Sequence, residues 1–216
     1  MSTPQLKKKR VRLSPEVRKQ KILESALMEF SEYGYGAATV ERIAGLAGLS
    51  KAGLYAHFSS KADIFEALLT QVLRPPFEAE QWRLLEGESL RDAIDRFIDV
   101  SYERLLEPGT VATLRLLIGE SARAPDAIRR WRETIVVPYQ RSQQAMVAQC
   151  VAQGWMRESA LTRNFDLVSA PTLYAALQFV LLQDEEGLRQ VQTLREAHRD
   201  LLYELLPHPA SSANPD

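Results

Sequence analysis

A single cysteine, Cys150, stands among 216 residues, so no internal disulfide framework holds this chain together. On an expected apolar helix face, that thiol reads as a small buried hydrophobe rather than a redox sensor. Histidine is nearly as scarce: His57, His198 and His208 are scattered, and none pairs with Cys150 or with carboxylates at a metal-ligand spacing, so no metal is expected. Glycine-rich phosphate loops and nucleophile motifs are missing as well, which leaves no candidate catalytic residue and no cofactor. Long apolar runs are also lacking. The longest, Leu173 to Leu182, is interrupted by Gln178 and falls well short of the ~20 residues a membrane-crossing helix needs. It reads as a buried helix, with no membrane partner. Met1 to Arg12 is polar and basic with no apolar core behind it, so no secretory signal and a cytoplasmic location are expected.

What remains is ordinary globular material, 45% hydrophobic and 25% charged, too apolar to be wholly disordered and long enough for one to two domains at ~150 residues each. The formal net charge is only −1, but it is unevenly spread. Met1 to Leu73 carries 11 Lys and Arg against 7 Asp and Glu, and all of the lysines precede residue 62; the remainder is acidic. Two segments with different tasks are implied. The run Lys7-Lys8-Lys9-Arg10-Val11-Arg12 is a flexible basic arm over residues 1–13, either simply solvated or reaching for phosphate and the minor groove.

Apolar residues recur every three or four positions and no segment alternates with period two, so the chain is expected to be all-α. Ser14, Pro15 and Glu16 make a helix start, followed by the stripe Leu23, Leu27, Phe30 and a stop at Tyr33-Gly34-Tyr35-Gly36. A short helix follows Thr39, with Val40, Ile43, Ala44 and Ala47 inward. Gly48-Leu49-Ser50 is a tight turn, and Ser50 caps a third helix from Lys51 to Phe58. Ser59 to Asp63 reads as a capping box opening a fourth helix with Ile64, Leu68 and Val72 on one face, closed by Pro75-Pro76. Further helices are expected at about 89–106, 110–122, 125–153 (kinked or split by Pro138), 166–183 and 185–206, with a disordered tail over 207–216.

Two short helices joined by a glycine-containing turn and packed on a longer helix form a helix-turn-helix, whose second helix enters the DNA major groove. Ala44 and Ala47 allow a close crossing, and Leu49 and Leu54 anchor it. The exposed remainder suits double-stranded DNA: Lys51 for phosphate or a guanine edge, Ala52 and Gly53 for close approach, Tyr55 and His57 for phosphate, with Thr39, Ser50 and Lys61 at helix N-termini.

Residues 38–68, ATVERIAGLAGLSKAGLYAHFSSKADIFEAL, resemble the DNA-binding domain of the TetR family of transcriptional regulators. The pattern is carried by Thr39, Val40, Ile43, Ala44, Ala47, Gly48, Ser50, Lys51, Gly53, Leu54, Tyr55, His57, Phe58 and Lys61, and the resemblance extends over about Ser14 to Leu73. It implies a three-helix DNA-binding domain over 14–73 and a divergent helical effector and dimerisation domain over 74–206, similar in length and helix pattern only. The function implied is a homodimeric regulator, most often a repressor, released from a pseudo-palindromic operator by a small-molecule effector. An effector-independent DNA binder, or a small-molecule binder that has lost DNA binding, stays open.

For the effector, aromatic and polar residues of the middle helices are the candidates: Phe97, Ser101, Tyr102, Arg115, Tyr139, Tyr174 and Gln178. Trp82, Trp131 and Trp155 read as packing residues. For the dimer interface the last two helices offer Leu173, Leu177, Leu181, Leu194 and Leu201.

Overall fold

The computed structural model describes residues 14–73 and 87–207. The basic arm, Pro75-Pro76, Trp82 and the tail from residue 208 lie outside the described residues. No strand occurs among the described residues, which are helical almost throughout.

The first four helices are α1 (Pro15–Ala37), α2 (Val40–Leu46), α3 (Lys51–Tyr55) and α4 (Lys61–Val72). Serine or threonine caps each start. The side chains of Ser14, Thr39, Ser50 and Ser60 accept from the backbone N–H of Val17, Arg42, Gly53 and Asp63, and each such cap contributes about 1 kcal/mol. The expected stop in α1 is a break at Gly34, whose φ of +72° leaves the helical region, and Gly48 turns the chain between α2 and α3 at φ +69°. α3 ends three residues earlier than expected, at Tyr55, and Phe58 packs onto the core beyond it. Ile22, Phe30, Ile43, Leu54, Ile64, Phe65 and Leu68 are all but fully buried, with the Phe30 and Phe65 rings edge to face at 5.6 Å.

The C-terminal helices are α5 (Leu90–Leu105), α6 (Pro108–Glu120), α7 (Pro125–Trp131), α8 (Val137–Ala152), α9 (Ala160–Arg163), α10 (Phe165–Leu182) and α11 (Glu185–Tyr203). The long helix expected over 125–153 is divided by a π-helical turn, Arg132–Val136. Pro138 explains it: its ring would collide with the carbonyl four residues back, and the wider turn moves that carbonyl aside. The short α9 had no signal beyond its cap, Ser159. Leu116 of α6, Ala127 of α7 and Ala124 just before α7 belong to the same buried cluster as α1–α4, and Arg130 of α7 pairs with Glu66 of α4 at 2.6 Å. Helices α1–α4 are thus seated on α6 and α7.

A second core joins α5, α8, α10 and α11. Inside it, His198 is only 2% exposed. Its Nε2 lies 2.8 Å from the Val168 carbonyl and its Nδ1 lies 3.3 Å from the Tyr102 hydroxyl. A carbonyl only accepts, so Nε2 carries the proton and Nδ1 accepts from Tyr102. Burial holds the imidazole at a pKa of about 4 and pushes the Tyr102 phenol up to about 12, so both groups are neutral at pH 7. Cys150 is buried and its thiol pKa is raised by that burial, which disfavours the reactive thiolate.

α10 departs from expectation. It is 18 residues long and apolar enough, by length and composition alone, to cross a membrane. It is not a buried helix: Leu173 and Leu181 are 67% and 68% exposed, and Leu167, Tyr174, Leu177 and Leu182 are exposed beside them.

Candidate nucleic-acid interface and effector cavity

The surface of α3 is built by what holds α2 and α3 still. Glu29 sits in the apolar stripe of α1, 2% exposed, and its Oε1 accepts from the Thr39 backbone N–H at 3.1 Å and from Arg42 Nε at 2.5 Å. Arg42 also donates to the Ala37 carbonyl and covers the Tyr33 ring. One carboxylate therefore fastens the N-terminus of α2 to α1. A charged residue four positions after Ser25 and one before Phe30, inside an apolar stripe, was the legible signal for it; Glu29 and Arg42 were both missed.

On the outer face, Ser50, Lys51, Ala52 and Tyr55 are exposed, and Gly53, His57 and Thr39 are partly so. A Cβ at Gly53 would lie 3.2 Å from the Ser50 hydroxyl that caps its own N–H, so this glycine makes room for the cap as well as for an approaching surface. Lys51 pairs with Glu41 of α2, which raises its pKa, and lies 5.9 Å from the Tyr55 ring centre.

Lys61 is placed differently from expectation. Its ammonium is turned inward and donates to the carbonyls of Tyr35, Gly36 and Ala38 at 2.6, 3.2 and 2.9 Å. All three protons are used in tying off the end of α1, where helix carbonyls lack partners, so its head does not face outward toward phosphate. Lys61→Met is expected to lower stability by about 1–3 kcal/mol, the cost of charge-assisted hydrogen bonds lost from partly buried acceptors. The salt dependence of DNA binding should stay as in the parent. An unchanged melting temperature with a shallower salt dependence would restore Lys61 to the DNA surface.

Between α4, α5, α6, the α7–α8 junction and α10 lies a cavity of about 370 Å³, within the ~300–1,000 Å³ of small-molecule sites. Its walls are mainly apolar, and Phe97, Ser101 and Tyr139 are in them. The other four ligand candidates are elsewhere. Tyr102 is turned onto His198, behind the cavity wall. Arg115 donates to the Val180 carbonyl at 3.1 Å and faces a separate, more polar cleft of about 660 Å³ between α1 and α6. Tyr174 and Gln178 bond to each other at 2.6 Å on the outer side of α10. Helical period alone does not say which way a residue of an all-round apolar helix faces.

Several cavity residues were not foreseen. Val72 and Leu73, the end of α4, form part of the wall, as do Thr110 and Trp131. Trp131, expected only to pack, lines the space, while Trp155 is exposed. Among the dimer candidates, Leu173, Leu177 and Leu181 face outward, with Leu173 also at the cavity edge. Leu194 instead packs half-buried on the second core, and Leu201 is half-buried. Among the described residues no group of three or more His, Cys, Asp or Glu is gathered as for a metal ion.

Residues 22–68 match the family described as bacterial regulatory proteins, tetR family. Over 52 residues the chain is 44% identical to the HTH-type transcriptional repressor AcnR of Corynebacterium diphtheriae, covering 24% of this chain and 27% of AcnR. Over 56 residues it is 43% identical to the HTH-type transcriptional regulator RutR of Escherichia coli, covering 26% of each. Matches to the curated relatives thus span about a third of their length or less. The fold is shared more widely. The structure of NalD, the secondary repressor of the MexAB-OprM multidrug efflux pump in Pseudomonas aeruginosa, superposes with a TM-score of 0.63 at 20% identity, covering 91% of this chain and all of NalD. The tetR-family sequence match is thus confined to residues 22–68, and over the chain as a whole the likeness to NalD, at 20% identity, is one of fold.

Proposed function

We propose that this chain is a cytoplasmic, homodimeric transcriptional repressor, without enzymatic activity, that leaves its operator when a small molecule fills the α4–α6–α10 cavity. The observation that carries the reading is the course of α4. The helix begins beside the packed helix-turn-helix, at Lys61, and its last residues, Val72 and Leu73, are cavity wall. A ligand that displaces that wall acts on the helix that follows α3 in the chain and packs against α1, and one favouring a different α4 position shifts the population away from the DNA-bound form. By linkage, DNA weakens ligand binding by the same factor.

On the DNA side, Thr39, Ser50, Lys51, Ala52, Gly53, Tyr55 and His57 are the proposed contact surface. Two copies related by a twofold axis would present α3 to major grooves a whole number of turns apart, ~34–36 Å or a multiple, hence a pseudo-palindromic operator. The unpartnered α10 face supports the dimer, with exposed Leu188 of α11 at its side.

Fluorescence anisotropy with duplexes from the gene's own upstream region and with a shuffled duplex, each at two salt concentrations, tests this. Selective binding that weakens as salt rises is expected. Lys51→Ala should lower affinity and reduce the magnitude of the salt slope by about one if Lys51 leaves Glu41 for a phosphate, or change sequence preference if it reads a base. An unchanged curve removes Lys51 from the surface. Equal, weak binding to both duplexes, persisting after genomic DNA selection with ligand-free protein, overturns the regulator reading.

A further inference from the structure

Between Ala38 and Lys61 the sequence holds three Lys or Arg residues, Arg42, Lys51 and Lys61, and a single carboxylate, Glu41. The structure commits all four. Arg42 is bound to Glu29 and to the Ala37 carbonyl, and the Lys61 ammonium is turned onto the carbonyls of Tyr35, Gly36 and Ala38. That leaves Lys51 as the cation presented on the outer face of α3, and its ammonium is paired with Glu41 of α2. Both side chains are more than half exposed, so the pair stands where a duplex would arrive. Glu41 is in the first turn of α2, two residues past Thr39, at the edge of the proposed contact surface. Each partner feels the other: Lys51 holds the Glu41 carboxyl below its ordinary range, and Glu41 raises the pKa of the Lys51 ammonium. A DNA acceptor that takes this ammonium must displace Glu41, and the released carboxylate then faces the phosphate backbone with a negative charge of its own. Exposed pairs of this kind are weak, so the exchange lowers affinity without preventing binding.

We infer that Glu41 is an internal competitor for DNA: it holds the Lys51 ammonium in the DNA-free protein, yields it to the duplex on binding, and so sets the affinity of the α3 surface below what its other residues would give. This rests on the regulator reading. It adds to that reading a residue of α2 that tunes operator affinity from outside the contact set.

The test is anisotropy of the full-length protein with its operator duplex over a range of salt concentrations. Glu41→Gln keeps the size of the side chain and removes its charge, and Glu133→Gln, exposed on the π-helical turn far along the chain, controls for the change in net charge alone. Glu41→Gln is expected to bind about two- to fivefold tighter than the parent, the range of an exposed ion pair, and Glu133→Gln to bind as the parent does. The salt dependence of Glu41→Gln should be steeper, because no freed carboxylate recaptures a cation as the duplex releases its own. Lys51→Ala and the double variant Lys51→Ala/Glu41→Gln separate competition from simple repulsion: the gain from Glu41→Gln should be larger by about twofold or more when Lys51 is present than when it is alanine. A gain of equal size in both backgrounds would make Glu41 a mere repeller of DNA and overturns the inference. So does a gain that Glu133→Gln matches, or no gain at all. A parent that fails to select its operator overturns the regulator reading together with this inference, whereas a selective parent with an unresponsive Glu41→Gln overturns this inference alone.

Discussion

Replacing Leu177 and Leu181 together by glutamate is expected to convert the protein from dimer to monomer and to weaken operator binding by about 10²–10⁴-fold. Both side chains point away from their own subunit, with Leu181 68% exposed, so the substitution removes little internal packing and the far-ultraviolet dichroism should stay that of the parent. In the proposed dimer, what would be lost is the apolar match between two copies of α10, and in its place four carboxylates would meet across a twofold axis. The fall in DNA affinity follows from bivalence: a dimer holding one half-site presents its second α3 at high effective concentration to the other, and a monomer forfeits that gain. Light scattering and anisotropy read the two effects separately. A double variant that is still dimeric would move the interface off α10.

Acid should cost the fold about 3 kcal/mol between pH 6.5 and pH 4, through His198 alone. In the folded protein the imidazole is kept neutral by burial, which lowers its pKa to about 4. In the unfolded chain it binds a proton below its ordinary pKa of about 6.5. Over that window the unfolded state holds more protons than the folded one, so unfolding becomes easier by up to about 1.4 kcal/mol per pH unit as the pH falls. The stabilisation from keeping the site neutral is complete above pH 6.5 and is lost progressively on the way down to 4. Protonation would put a second N–H against the Tyr102 hydroxyl, which would have to turn and become an acceptor. His198→Gln, which cannot titrate, should flatten urea midpoints across the window relative to the parent. The Arg195 and Arg199 guanidinium groups hold the Asp99 carboxyl below its ordinary range, so its own destabilising protonation falls mostly below pH 4. Equal pH dependence in parent and variant would take His198 out of the account.

The two halves of the molecule differed in how far the residues alone disclosed them. In α1–α4 the determinants are local: Ser14, Thr39, Ser50 and Ser60 as caps, Gly34 and Gly48 at positive φ, and a single stripe of apolar residues per helix. Each acts within four residues of chain, so reading along the sequence finds it. Lys61 shows where that stops. Its place at a helix start matched an anion-binding position, but its long stem let the ammonium reach carbonyls 23 to 26 residues earlier.

In α10 the ambiguity is intrinsic. A helix apolar around most of its circumference has no preferred face, so Tyr174 and Gln178 were placed in the cavity and Leu173 only on the dimer surface, when packing against α11 and α8 turns the first two outward and sets Leu173 at the cavity edge as well. Composition, caps and period determined by themselves that this is an all-helical protein with a helix-turn-helix near its start, because those signals are short-range. Tertiary structure alone decided that Glu29 fastens α2, that Arg115 faces a different cleft, and that Trp131 and the end of α4 wall one cavity. Each of these depends on which surfaces of distant helices meet, and a contact between positions tens of residues apart has no period to announce it.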